Sequence, residues 1–142
     1  MKIFLDTSSL IKLYHTEAGT DKLDKIIEDY PIEDIFLSEI AKVEFNSAVW
    51  KKVRTKDLTN NEAIAIIESF QSDFVNYTFI EADSDLIVLA CDLVAKYGLK
   101  GLRTLDSIQL ASIITVQTDL SFAVTADELL KELIENEGIK TV

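Results

Sequence analysis

Five short apolar runs, at residues 2–5, 34–37, 77–80, 121–124 and 139–142, alternate with longer stretches whose apolar residues recur at three- and four-residue spacing. The short runs are too brief for stable helices and read as strands, while the longer stretches read as amphipathic helices. Strands separated by helices pair in parallel, because parallel neighbours need a crossover connection. The pattern predicts a three-layer α/β/α domain built on a parallel sheet.

Local signals sharpen the helix boundaries. Thr59-Asn60-Asn61-Glu62 and Thr125-Ala126-Asp127-Glu128 carry the capping-box spacing, in which Thr and Glu satisfy free backbone donors at a helix start. Gly98 and Gly138 follow helical stretches and are expected to end them with positive φ. The segment 112–118 contains β-branched Ile113, Ile114 and Val116, yet it continues from Leu105, Ile108, Leu110 and Ala111 without a break and reads as helix. With one Pro, four Gly and no low-complexity stretch, a single domain over residues 1–142 is expected.

Composition limits the function classes. An apolar content of 48% in 142 residues suffices for a buried core and excludes a disordered chain. The formal charge is −11, with nine basic against eleven acidic residues up to position 60 and five against fourteen after it. Such acidity argues against nonspecific binding of long duplexes, which depends on Lys and Arg neutralising phosphates. Cys91 has no second cysteine to pair with, and it and His15 alone make no zinc set. A reducing, cytoplasmic location is expected. No apolar run is long enough for a signal peptide or a membrane span, so no membrane association is expected.

Acids recur where chemistry belongs. An open parallel sheet presents its ligand site at the carboxyl ends of its strands. Asp6 ends the first strand, Glu44 lies in the helix after the second, Asp106 opens a long apolar helix, and Asp127 follows the fourth strand two residues beyond Thr125. Glu44 interrupts an apolar row formed with Ile40 and Ala48, and Gln109 lies one turn after Asp106. Taken singly, Asp106 and Asp127 read as helix-capping acids, Asp6 as a turn-initiating residue, and Glu44 as an acid reaching Lys51 or Lys52. Taken together at one sheet edge, they suit a hard divalent cation.

Other candidates carry less. His15 reads as a helix C-terminal residue, Cys91 as inert core on the Ile87/Val94 face, and Trp50 as packing against the sheet. Ser8 and Ser9 follow a strand without the G-x-S-x-G elbow of a nucleophilic serine, and the four glycines make no phosphate loop. An Asp after the first strand is also the nucleophile of haloacid-dehalogenase-type phosphatases, but Ser8 occupies the place of their second acid. Basic residues Lys51, Lys52 and Arg54 close the Glu44 helix and Arg103 precedes the Asp106 helix; they are candidate nucleic-acid contacts or a solvated charged face.

Four segments in order, LDTSSLIKLY at 5–14, Ser38 to Glu44 continuing into Phe45-Asn46-Ser47-Ala48, LRTLDSIQLAS at 102–112 and VTADELL at 124–130, resemble the PIN-domain family and within it the VapC-type toxins of toxin–antitoxin pairs. The resemblance implies a five-stranded parallel sheet in order 3-2-1-4-5 and a Mg²⁺- or Mn²⁺-dependent ribonuclease. It makes Asp6, Glu44, Asp106 and Asp127 the metal-binding and catalytic acids, with Thr125 in support. It also implies an RNA substrate, a VapB-like antitoxin with a basic segment, and a homodimer. A non-catalytic interaction module is the other reading. Many relatives end their last strand with a proline, whereas this chain ends at Lys140-Thr141-Val142.

Overall fold

In the computed structural model, which describes residues 1–142, four of the five apolar runs form strands. β1 (Lys2–Leu5) and β3 (Tyr77–Ile80) have the expected bounds, β2 (Asp34–Ser38) runs one residue longer and β4 (Phe122–Val124) begins one residue later. All pair in parallel in the order β3-β2-β1-β4, with Phe4 opposite Phe36 on one side and Ala123 on the other.

Period-two alternation distributes the strand residues between two cores. Ile3, Leu5, Leu37, Phe122 and Val124 face one layer, formed by α1 (Thr7–Leu10), a 3₁₀ turn (Ile11–Leu13), α2 (Thr20–Asp29), α3 (Ala41–Arg54) and α4 (Asn60–Ser72). Phe4, Phe36 and Ala123 face the other, formed by α5 (Ser84–Tyr97), α6 (Thr104–Thr115) and α7 (Glu128–Asn136). Ile3, Phe4 and Leu5 are wholly inaccessible, each contributing about 2 kcal/mol from burial alone. The Phe45 and Phe70 rings, 4.3 Å apart, join α3 to α4 and fix the rotation of α3 about its axis.

The predicted fifth strand is reduced to one bridge between Ala123 and Thr141. Gly138, at φ +79°, and Ile139 give their amides to Glu135 and Ile134, forming a Schellman cap on α7. That cap consumes the first amide of the run, and only Lys140 remains to accept from Ala123.

Other local expectations divide. Thr59 and Glu62 form the predicted capping box, each bond at 3.2 Å. The box at Thr125 does not form: α7 starts at Glu128 with Asp127 as its cap, accepting from the Leu130 amide at 2.7 Å, and Thr125 Oγ1, ahead of the helix, accepts from the Asp127 amide at 3.1 Å. Gly98 has φ −57° and lets the chain continue as a 3₁₀ turn, and the left-handed position is Gly101, at φ +104°. Residues 104–115 are helical, so the β-branched segment stays helical as far as Thr115. Cys91 and Trp50 are exposed, contrary to the core roles expected of them. No helix is long and apolar enough to cross a membrane.

Candidate metal centre

β1 lies between β2 and β4 although β4 comes last in the chain, so the strand order reverses at the β1/β4 seam. A crevice opens at the carboxyl ends of such strands. Asp6 leaves β1 there, 5% exposed, and caps α1: Oδ1 accepts from the Ser9 amide at 2.9 Å. The Ser8 hydroxyl donates to both carboxylate oxygens (2.9 and 2.8 Å), and Thr125 Oγ1, just past β4, donates to Oδ2 at 2.6 Å. Ser8 Oγ also accepts from the Ala126 amide at 3.1 Å, stitching the two strand ends together. Burial pushes the Asp6 carboxyl above its ordinary value, while the bonds from Thr125, Ser8 and Ser9 pull the other way.

Phe45 is wholly buried, and Glu44 beside it is half-buried against α1 and α6. Its Oε1 accepts from Thr7 Oγ1 (2.9 Å) and from Gln109 Nε2 (2.7 Å), and Oε2 has no protein partner. Burial raises the Glu44 carboxyl first, the bonds from Gln109 and Thr7 lower it, and the charges of Asp106 and Asp6 raise it again. Neither Lys51 nor Lys52 pairs with Glu44.

Asp106, in the first turn of α6, is half-buried. Burial raises its carboxyl most and the Asp127 charge next; Arg103 lowers it, and Asp6 raises it again. Asp127 is exposed and its Oδ1 is committed to the α7 cap, so the capping role is real for this acid. Asp6 likewise fills the turn-initiating role at α1. Each capping oxygen leaves the rest of its carboxylate directed by the strand end that carries it.

Glu44 therefore feels the charges of Asp106 and Asp6, Asp106 feels those of Asp127 and Asp6, and none of the four acids takes part in an ion pair. No three of the chain's His, Cys, Asp and Glu side chains stand close enough together to enclose a metal ion. The donor set is nonetheless chemically suited to one: it is all oxygen, it contains no ion-paired carboxylate, and burial disfavours the ionised forms of Asp6, Glu44 and Asp106. The only buried side-chain polar atom without a partner, Gln109 Oε1, belongs to the residue holding Glu44.

Gln109 is 2% exposed and donates to Thr7 Oγ1 (3.1 Å) as well as to Glu44. Sequence reading placed it only as a neighbour of Asp106. It also passed over Thr7, Ser8 and Ser9 as ligand holders, although three hydroxyl residues directly after a strand-ending acid were the available signal. Of the basic candidates, Lys51 lines a trough of about 580 Å³ beside Glu44, and Arg103 lines a second cavity with Glu44 and Asp106. Lys52 is instead bonded to Glu17 at 2.5 Å, and Arg54 lines neither cavity.

Comparison with known proteins adds the following. The PIN domain family profile matches residues 3–135. The toxin VapC20 of Mycobacterium tuberculosis, which cleaves the sarcin-ricin loop, superposes with a TM-score of 0.73 at 16% identity, over 99% of this chain and 98% of that one. FitAcB of Neisseria gonorrhoeae gives 0.71 at 16% identity, over 98% and 95%. VapBC2 of Rickettsia felis, bound to a DNA fragment from its promoter, gives 0.60 at 16% identity, over 100% and 99%. No curated protein matches the chain.

Proposed function

This chain belongs to the PIN-domain family, and from that premise we propose that it is a Mg²⁺- or Mn²⁺-dependent endoribonuclease, the toxin of a VapC-type toxin–antitoxin pair. One observation carries the reading: Asp6, Glu44 and Asp106 take part in no ion pair at the reversal of strand order, and burial pushes all three carboxyls up, with repulsion from neighbouring acids adding to it at Glu44 and Asp106. That arrangement is costly for the empty protein and favourable once a cation is present.

Asp6, Asp106, Asp127 and Glu44 would hold the metal. A bound hard cation lowers the pKa of water and neutralises charge developing on a phosphodiester. The chain's own residues supply the rest. Ser8, Ser9 and Thr125 aim the Asp6 carboxylate, and Gln109 and Thr7 hold Glu44 Oε1 so that Oε2 stays available for the cation or for a proton from the attacking water. Lys51 and Arg103, in two cavities that Glu44 also lines, bring positive charge for the substrate backbone. An antitoxin with a basic segment fits the same acids, and a cytoplasmic homodimer is the assembly in which this activity would be kept.

The experiment is RNA hydrolysis by the purified chain with Mg²⁺, with Mn²⁺ and with a chelator. Metal-dependent cleavage that disappears in Asp6→Asn is expected; equal cleavage by that variant would overturn the assignment. A second reading, a non-catalytic interaction module, is favoured by the spread of the acids, which brings no three of them within enclosing distance. It predicts no hydrolysis by the wild-type chain at any metal concentration.

A further inference from the structure

Beyond the acids, the trough along α3 adjoins a third cavity of about 370 Å³, and Ser8, Ile11, Ala48 and Lys51 line both. Three lysines converge on this third cavity: Lys12 from the 3₁₀ turn, and Lys51 and Lys52 from the end of α3. Lys12 also lines a neighbouring cavity with Lys22 and Lys131, so basic residues gather on this side of a chain whose formal charge is −11. Glu17 organises the convergence, accepting from Lys12 Nζ at 2.7 Å and from Lys52 Nζ at 2.5 Å.

The trio is largely withdrawn from water, with side chains 10% exposed at Lys12, 24% at Glu17 and 22% at Lys52. The lysine stems are packed and their ammonium groups held at the cavity wall. One carboxylate cannot neutralise two ammonium groups, so the trio keeps one positive charge, and each ammonium retains donors beyond the one given to Glu17. Lys51 adds a second positive charge, takes part in no ion pair, and stands on the boundary with the acid-bearing trough. Asp57, also in the lining and accepting from Thr55 Oγ1 at 2.9 Å, takes one charge back, so three lysines face two carboxylates and the cavity keeps a single net positive charge. Because Lys12 and Lys52 are already ordered, an incoming anion does not have to immobilise two long side chains.

We propose that this cavity is a phosphate subsite: Lys12, Lys51 and Lys52 bind the backbone of a single-stranded nucleic acid beside the bond presented to the acids, with Glu17 positioning two of the three lysines. The proposal rests on the nuclease reading above and adds the direction in which the strand leaves the acids, along α3 toward Thr55. Lysines read charge and not base identity, so the subsite supplies affinity without sequence preference. Lys12 enters the set only through the fold, being thirty-nine positions before Lys51.

The test is the anisotropy of a short fluorescein-labelled single-stranded RNA, measured with chelator present over a series of KCl concentrations. Lys51→Ala should weaken binding roughly three- to tenfold and reduce the slope of log affinity against log salt by about 0.7. Lys51→Arg should restore both. Lys12→Gln lowers the charge by one and leaves Glu17 paired with Lys52; it should also reduce the slope, with its fold checked by circular dichroism. Lys25→Ala, an equal charge change on the exposed face of α2, should leave binding unchanged.

Wild-type slope and affinity in Lys51→Ala would overturn the subsite, and so would an equal loss in Lys25→Ala, which would mean diffuse attraction by overall charge. If the wild type cleaves RNA and Lys51→Ala binds it normally, only the subsite fails. If the wild type neither binds nor cleaves RNA, the nuclease reading fails with it.

Discussion

Thr125 Oγ1 donates to Asp6 Oδ2 at 2.6 Å across the seam between β4 and β1. Two residues separated by 119 positions thus meet because their strands are neighbours, and the bond aims the most buried acid of the site. Without the Thr125 hydroxyl, Oδ2 would retain only the shared Ser8 proton.

Asp6→Asn separates stability from metal binding. Removing a buried charge that lacks a cationic partner should stabilise the metal-free protein by about 0.5–2 kcal/mol, the usual scale when a functional site is relaxed. The shift in unfolding temperature given by millimolar Mn²⁺ should fall in the same variant, because a ligand of the native state stabilises in proportion to its affinity. Differential scanning calorimetry with and without Mn²⁺ measures both.

The metal-free protein should lose stability as pH rises. Asp6, Glu44 and Asp106 have folded-state carboxyls above their ordinary values of 3.8, 4.5 and 3.8. For a raised acid, the native state binds protons more tightly than the unfolded state. The contribution is therefore complete below the ordinary value and is lost as pH climbs through the raised one. Urea unfolding from pH 4 to pH 8 should show this decline in the wild type and a shallower one in Asp6→Asn.

Gln109→Leu tests the support of Glu44. The variant keeps much of the volume but leaves Oε1 of Glu44 with Thr7 as its remaining partner. Loss of such an outer partner typically costs about 10- to 100-fold in metal affinity or activity. Mn²⁺ affinity by titration calorimetry checks the prediction, and circular dichroism confirms the fold.

Glu17→Gln should destabilise by about 1–3 kcal/mol, because it leaves two mostly buried ammonium groups without their carboxylate. Hydrogen bonds and charges from Lys12 and Lys52 hold the Glu17 carboxyl below its ordinary 4.5 despite the opposing effect of burial. The sign is opposite to that of the site acids: this stabilisation is complete above 4.5 and is lost as pH falls through the depressed folded value. The difference between wild type and Glu17→Gln in urea should be largest near neutrality and shrink in acid.

Local chemistry was legible in the sequence wherever it was self-contained. The runs that became β1 and β3, the capping box at Thr59 and the left-handed Gly138 depend on neighbours within a few residues, which fix backbone geometry directly. Parallel pairing followed from strands alternating with helices, and the acids at the strand ends followed from where such sheets present ligands.

Competition between local and distant partners was decided only by the tertiary structure. Thr125 has a capping-box sequence, yet α7 starts only after Asp127, and the Thr125 hydroxyl accepts from the Asp127 amide while giving its one proton to the buried Asp6 carboxylate. The same holds for Lys52, claimed by Glu17, and for Gln109, whose amide reaches Glu44 from another helix. The fifth run yielded its first amide to the α7 cap and kept a single bridge. The sequence by itself determined which residues have the chemistry and the alternation that brings strand ends to one edge. Which hydrogen-bond partner each polar side chain takes was decided by burial, since the cost of an unpaired polar group depends on an environment created only by packing.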